Sequence, residues 1–282
     1  MQFQFEREYH LVVNDKKISV IEWGEPDAEP VICMHGWLDN AATFHYLAPY
    51  LDKKYRLIAF EMPGHGQSEH LSQDADYQFV SGISVIDSVL NTLNIESCQF
   101  IGHSMGGALG LLYAGAIPGR FTRMALIDSM GAITAPSEQA VEHLEEAIIQ
   151  RRKKTSNKRF FNDLEIAAKA RAQVSELNWK ILYPLIERGV MLTDKGYQWS
   201  SDARLKRMSW LRMTENQHSA IIAKVEADVL LLKANNGILN QFPIGSRTAQ
   251  IKNFEQINCE GGHHFHMQYP KETAEKILEF LK

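Results

Sequence analysis

The five residues Gly102-His103-Ser104-Met105-Gly106 constrain the fold of this chain more than any other stretch. Gln99-Phe100-Ile101 before them has the apolar, β-favouring character of a strand, and GGALGLLYAGAI (106–117) after them reads as a small-residue helix ended by Pro118-Gly119. A bare G-x-S-x-G arises by chance in roughly one chain in ten of this size. The flanking strand and helix make it specific. Together they predict a strand–turn–helix in which the serine sits on a strained elbow with its hydroxyl exposed above a sheet. Gly102 and Gly106 let strand and helix approach without side-chain clashes, and the helix N-terminus behind Ser104 favours negative charge developing there.

The rest of the chain repeats that rhythm. Residues 9–23 predict two short strands around the turn-prone pair Asn14-Asp15. VICMHG (31–36), RLIAF (56–60), MALID (124–128), DVLLLKA (228–234) and EQINC (255–259) predict further strands. Between them, residues 41–51 and 77–93 carry apolar positions at helical spacing, and a last amphipathic helix starts just after Pro270. Strands alternating with helices predict an α/β fold: a mostly parallel central sheet covered on both faces. The rhythm stops between about 131 and 213, which reads as helical and charged with no convincing strand. We therefore expect a helical cap (131–213) inserted after the sixth strand of a core made of 1–130 and 214–282. The length of 282 residues suggests about two domains as a prior, and the insertion turns that into one sheet domain interrupted by its own lid.

Composition excludes several classes. Thirty Lys+Arg against 34 Asp+Glu give a net charge of −4, which argues against a nucleic-acid partner. The basic run RRKKTSNKR (151–159) has no interleaved aromatics and reads as a solvated helix end or loop. No apolar run approaches the ~18 residues of a membrane span, and the charged N-terminus is unlike a signal peptide, so a cytoplasmic location is expected. Cys33, Cys98 and Cys259 are odd in number and far apart, and read as small buried hydrophobes. The histidines at 263, 264 and 266 lack the acidic or thiol spacing of a metal site. Gly64-His65-Gly66 lacks the third glycine of a dinucleotide loop. No metal or cofactor is expected.

A serine needs a base to become a nucleophile. His263 is the best placed of eleven histidines: it follows a predicted strand in a Gly261-Gly262 turn and precedes the last helix. His264 and His266 compete by residue type; His264 reads as structural, and His266 either lines the pocket or bonds nearby backbone. His35-Gly36-Trp37 follows the third strand, so the Trp37 N–H and the Met105 N–H are expected to hold an oxyanion. His103, His266, Trp179 and Tyr183 are the candidate substrate-binding residues. The lid aromatics Trp179, Tyr183, Trp199 and Trp210, with several methionines, suggest an apolar acyl or aryl pocket, or else pack the lid onto the sheet.

HGW (35–37), PGHG (63–66), GHSMGG (102–107) and GGHHFHMQYP (261–270) occur in an order that resembles the α/β-hydrolases. The resemblance covers nearly the whole chain and is weakest in the lid. HGWLDN (35–40), RG (188–189), DARLK (202–206), KANNG (233–237) and HM (266–267) resemble the serine-hydrolase-like branch. The resemblance implies a catalytic acid in the loop after DVLLLKA, yet Asn235-Asn236-Gly237-Ile238 stands there with no carboxylate before Glu255. Some branches take the acid from the end of the preceding sheet strand, which here offers Asp128. Asp228 lies before its strand and Glu260 is only three residues from His263. The expected triad is Ser104, His263 and Asp128, with the alternative that Asp128 only braces the lid entry. The implied activity is hydrolysis of a small-molecule acyl ester. A thioesterase, lipase or carbon–carbon bond hydrolase would keep the same triad. A non-catalytic binding protein of this fold is the competing class, with the vacant acid loop as its argument.

Overall fold

A computed structural model describes residues 6–153, 159–175, 177–242 and 244–282. The chain opens with the hairpin β1 (Arg7–Val13) and β2 (Lys16–Trp23), turned by Asn14 and Asp15 at positive φ (50° and 59°), as a two-residue hairpin loop requires. Next come β3 (Glu29–Met34), a 3₁₀ turn at Ala41–Phe44, α1 (Ala48–Leu51), β4 (Tyr55–Phe60) and α2 (Gly82–Thr92). The helix expected over 41–51 is thus split into two short pieces. The elbow lies between β5 (Cys98–His103) and α3 (Met105–Ala116), and β6 (Phe121–Ile127) follows.

After β6 come α4 (Ala140–Arg152), β7 (Phe160–Phe161), α5 (Leu164–Ser175), α6 (Tyr183–Gly189), β8 (Val190–Thr193) and β9 (Gly196–Trp199). The core resumes with α7 (Glu215–Ile222), β10 (Asp228–Asn236), α8 (Gly245–Thr248), β11 (Phe254–Gly262), α9 (Phe265–Gln268) and α10 (Pro270–Phe280).

Eight strands form one sheet in the order β1-β2-β4-β3-β5-β6-β10-β11; β1–β2 and β2–β4 are antiparallel and every later pair is parallel. This is the mostly parallel sheet expected. Side chains alternate between its faces. Ile32, Met34, Phe100 and Leu126 pack under α2 and α3 with Ile86, Leu90 and Leu109. Val31, Cys33, Ile101 and Ile127 pack on the other face with Phe44, Leu51 and Ile277. All three cysteines are buried and unpaired.

The inserted segment departs from expectation. It is not purely helical: β7, β9 and β8 form a three-stranded antiparallel sheet. Strands of two to four residues are too short to show a period of two. The β8–β9 turn is made locally, with the Lys195 N–H donating to Thr193 Oγ1 (3.2 Å) and that hydroxyl donating to the Gly196 carbonyl (2.7 Å). Of the basic run, 154–158 lie outside the described residues. Arg151 is no free surface charge: it pairs with Asp76 at 2.7 Å and stacks 3.9 Å from the Trp210 ring.

Candidate active site

Five of the candidate elements end at the carboxyl edge of the sheet, where open α/β sheets place their sites. Ser104 joins β5 to α3 with φ +50° and ψ −117°, a conformation that a non-glycine residue holds only under strain. Its N–H donates to the Ile127 carbonyl (3.1 Å), and the Ser129 hydroxyl donates to its carbonyl (2.6 Å). A Cβ on Gly106 would lie 2.3 Å from the Met34 carbonyl oxygen, so only glycine lets α3 start this close to β3. Ser104 lines a cavity of about 820 Å³ together with Trp37, Met105 and Asp128. Among the described residues, neither the Trp37 N–H nor the Met105 N–H has a protein acceptor, as expected at a helix start for Met105.

Asp128 ends β6 with φ +44° and is buried. Its Oδ2 accepts from His263 Nδ1 at 2.7 Å and from the Ile238 N–H at 3.0 Å; its Oδ1 accepts from the Ala234 N–H at 3.2 Å. The loop Asn235-Asn236-Gly237, which lacks an acid, thus wraps one supplied by the neighbouring strand. Held by Asp128 at Nδ1, His263 keeps Nε2 free for proton transfer. Its ring makes no hydrogen bond to the Ser104 hydroxyl among the described residues, a contact that commonly tightens only with substrate in place.

Behind His263 lies a cluster of imidazoles. The His103 ring packs 4.7 Å from His263, 4.8 Å from His264 and 4.5 Å from His266. His103 Nε2 donates to the His263 carbonyl at 3.0 Å, so the residue before the serine tethers the backbone of the histidine. Burial, and then the neighbouring imidazoles, hold His103 and His266 well below the usual histidine range. His264 Nε2 donates to Asp39 Oδ2 at 3.0 Å, and Arg171 of α5 bonds Asp39 Oδ1 at 2.7 Å. Asp39 is fully buried, and these partners hold it well below the usual carboxylate range against the opposing effect of burial. Asp39, His103 and His264 place three donor atoms within 4.8 Å of one another. Arg171 already neutralises the carboxylate, which makes the group an internal ion-pair network more than a cation cradle.

Of the expected site residues, Ser104, Asp128, Trp37 and Met105 line this cavity, whereas His263 and the expected substrate-binding residues do not. His103 and His266 are fully buried, and neither is on the wall of the cavity that holds Ser104. His266 Nε2 instead meets Thr43 Oγ1 at 2.8 Å. Trp179 and Tyr183 also miss that cavity; their rings sit 6.2 Å apart against the inserted segment's own apolar cluster of Phe161, Leu182 and Ile186. Trp199 packs against the same cluster. The walls come from Phe79, Leu109, Met130, Leu239 and the strap Leu205–Met213. Only the lid's methionine content hinted at this, through Met208 and Met213. His35 braces its loop, accepting from the Met62 N–H at 3.1 Å.

Residues 29–267 match the α/β-hydrolase fold family. The chain belongs to that family. This hydrolase is 28% identical over 272 residues to "Serine hydrolase-like protein" of Danio rerio, covering 92% of this chain and 83% of that protein. It is 27% identical to "Serine hydrolase-like protein 2" of Homo sapiens, covering 98% and 94%. A crystal structure of a hypothetical protein from Pseudomonas aeruginosa PAO1 is 33% identical and superposes with a TM-score of 0.90 over 97% of each chain. The serine-hydrolase-like resemblance read from the motifs therefore holds. No helix among the described residues of the hydrolase is long and apolar enough to cross a membrane.

Proposed function

We propose that this hydrolase cleaves carboxylic esters by acyl transfer through Ser104, His263 and Asp128. The observation that carries the reading is the 2.7 Å bond from His263 Nδ1 to Asp128, a residue that lines the same cavity as Ser104. His263 Nε2 takes the Ser104 proton as the oxygen attacks the acyl carbon. The oxyanion forms against the N–H groups of Trp37 and Met105, each such donor being worth on the order of 10²–10³ in turnover. Asp128 keeps the proton on Nδ1 and stabilises the imidazolium. His263 then protonates the leaving group, and water attacks the acyl-enzyme by the same steps in reverse order. The buried, unpaired thiols of Cys33, Cys98 and Cys259 suit a cytoplasmic location.

Two measurements test the reading. Ser104→Ala should abolish both p-nitrophenyl ester hydrolysis and fluorophosphonate labelling. Asp128→Asn should lower kcat by about 10³–10⁴, because the histidine loses its enforced tautomer. Near-full activity in Asp128→Asn would remove Asp128 from the triad, and wild-type protein inert to the fluorophosphonate would favour a binding role.

A further inference from the structure

The cavity that holds Ser104 has a chemically divided wall. Its interior is apolar, with Phe79, Leu109, Met130 and Leu239, whereas the strap Leu205–Met213 adds Lys206, Arg207 and Arg212. Of the other charged side chains on the wall, Asp76 pairs with Arg151, Lys16 with Glu69 and Arg247 with Glu215, while the carboxylate of Asp128 is fully buried and bonded to His263. Lys206, Arg207 and Arg212 have no ion-pair partner among the described residues, and Lys206 and Arg212 are exposed to solvent. Three uncompensated positive charges thus sit at the solvent side of an apolar chamber in a protein of net charge −4.

The strap is firmly placed. Trp37 Nε1 donates to the Leu205 carbonyl (3.1 Å), the Met208 N–H donates to Gln150 Oε1 (2.9 Å), and the Trp210 N–H donates to Gln78 Oε1 (3.0 Å). The backbone that carries these basic side chains is therefore held in place beside the cavity.

We infer that the substrate is an acyl chain joined to a phosphate-bearing leaving group, with an acyl thioester of coenzyme A as the soluble example. This deepens the hydrolase reading above and rests on it. The chain occupies the apolar interior, the carbonyl lies at Ser104, and the leaving group extends outward to Lys206, Arg207 and Arg212, which match phosphate oxygens. Ser104 Oγ bonds the acyl carbon and the carbon–sulfur bond breaks. The sulfur leaves with the proton that His263 took from Ser104, and water then releases the carboxylic acid and restores the serine. A phosphate-bearing oxygen ester, such as a 1-acyl-glycerol 3-phosphate, would use the same geometry.

The test compares dodecanoyl-coenzyme A with the dodecanoyl thioester of N-acetylcysteamine, which has the same reacting bond and no phosphate, and with 1-dodecanoyl-glycerol 3-phosphate. Wild type should prefer the phosphate-bearing substrates, with a preference that falls as salt rises. In the triple variant Lys206→Glu/Arg207→Glu/Arg212→Glu, the ratio of kcat/KM for dodecanoyl-coenzyme A to that for the neutral thioester should fall by roughly 30-fold or more. The ratio between the two phosphate-bearing substrates distinguishes a thioester from an oxygen-ester enzyme. Binding of the non-hydrolysable dodecyl-coenzyme A thioether to Ser104→Ala should weaken in parallel when the rim is reversed. A ratio and a thioether affinity unmoved by the charge reversal overturn the proposal. If no ester or thioester is cleaved while thioether binding still depends on the rim, the hydrolase reading fails and the phosphate site stands.

Discussion

A Cβ on Gly237 would sit 2.3 Å from Asp128 Oδ2 and 2.5 Å from Oδ1. The backbone at Gly237 is extended (φ −93°, ψ 175°), a conformation open to any residue, so space alone requires glycine there. Its missing side chain makes room for a carboxylate from another strand, which turns the empty acid loop into a cradle. Gly237→Ala should displace the Asp128 carboxylate and lower kcat on a p-nitrophenyl ester by about 10², the scale of an ångström-sized misplacement in a catalytic group. Steady-state kinetics with KM followed separately checks this; a wild-type kcat would show that the loop yields at no catalytic expense. The motif KANNG displays the glycine, but only the fold shows what occupies the space. The positions of Ser104 and His263, after β5 and β11, are by contrast legible from short motifs because they depend on local turns.

At the scale of elements, the inserted segment is bolted to the core by buried charge. Arg188 of α6 reaches Glu61 (Nε to Oε1, 2.6 Å), Ser19 Oγ (2.8 Å) and Glu8 (2.7 Å). Glu61 is fully buried and also accepts from the Ala41 and Gln67 N–H groups. Arg171 reaching Asp39 is a second bolt, next to the histidine cluster. Arg188→Ala leaves the Glu61 charge buried without its cation, a change that typically costs about 3–5 kcal/mol. Thermal unfolding should show a clear loss of Tm, and adding Glu61→Gln should recover part of it because no buried charge remains. Equal stability of Arg188→Ala and wild type would mean that the segment docks by apolar contact alone. RG (188–189) marks the position in sequence, yet its partner lies 127 residues away, so no local pattern shows the bolt.

For the molecule as a whole, five buried histidines set an acid limit. Burial is the leading cause in each case. It lowers His35, His103 and His266 below the usual value, His218 to about 4 and His65 to about 3. These groups stay neutral in the folded state and gain protons on unfolding below about pH 6.5. The unfolded state then binds more protons, so stability rises with pH. Their contribution is complete above pH 6.5 and is lost as pH falls toward the folded values, by up to about 1.4 kcal/mol per pH unit for each group in its window. Asp39 acts in the same direction at lower pH, since its folded value lies below its unfolded one. Calorimetry should find Tm nearly level from pH 7 to 8 and falling steadily from pH 6.5 to 4.5. A flat Tm across the lower range would mean that these imidazoles are charged in the folded protein.

The sequence by itself determined the strand–turn–helix at Ser104 and the strand–helix alternation, and it supplied the candidates for the proposed triad. These are written in short-range patterns: a glycine-framed turn, apolar periods of two and 3.6, and an acid absent from one loop and present at the end of another strand. Tertiary structure alone decided which imidazoles are buried together behind His263, which residues wall the cavity that holds Ser104, and how Asp128 is held. Those outcomes depend on contacts between residues far apart in the chain. The Asp128–His263 bond spans 135 positions, and Trp179 and Tyr183 lie half-buried against an apolar cluster that the inserted segment shares with Met267. An aromatic or imidazole ring gains by burial wherever it finds partners, so residue type alone does not say which side of a wall it will take.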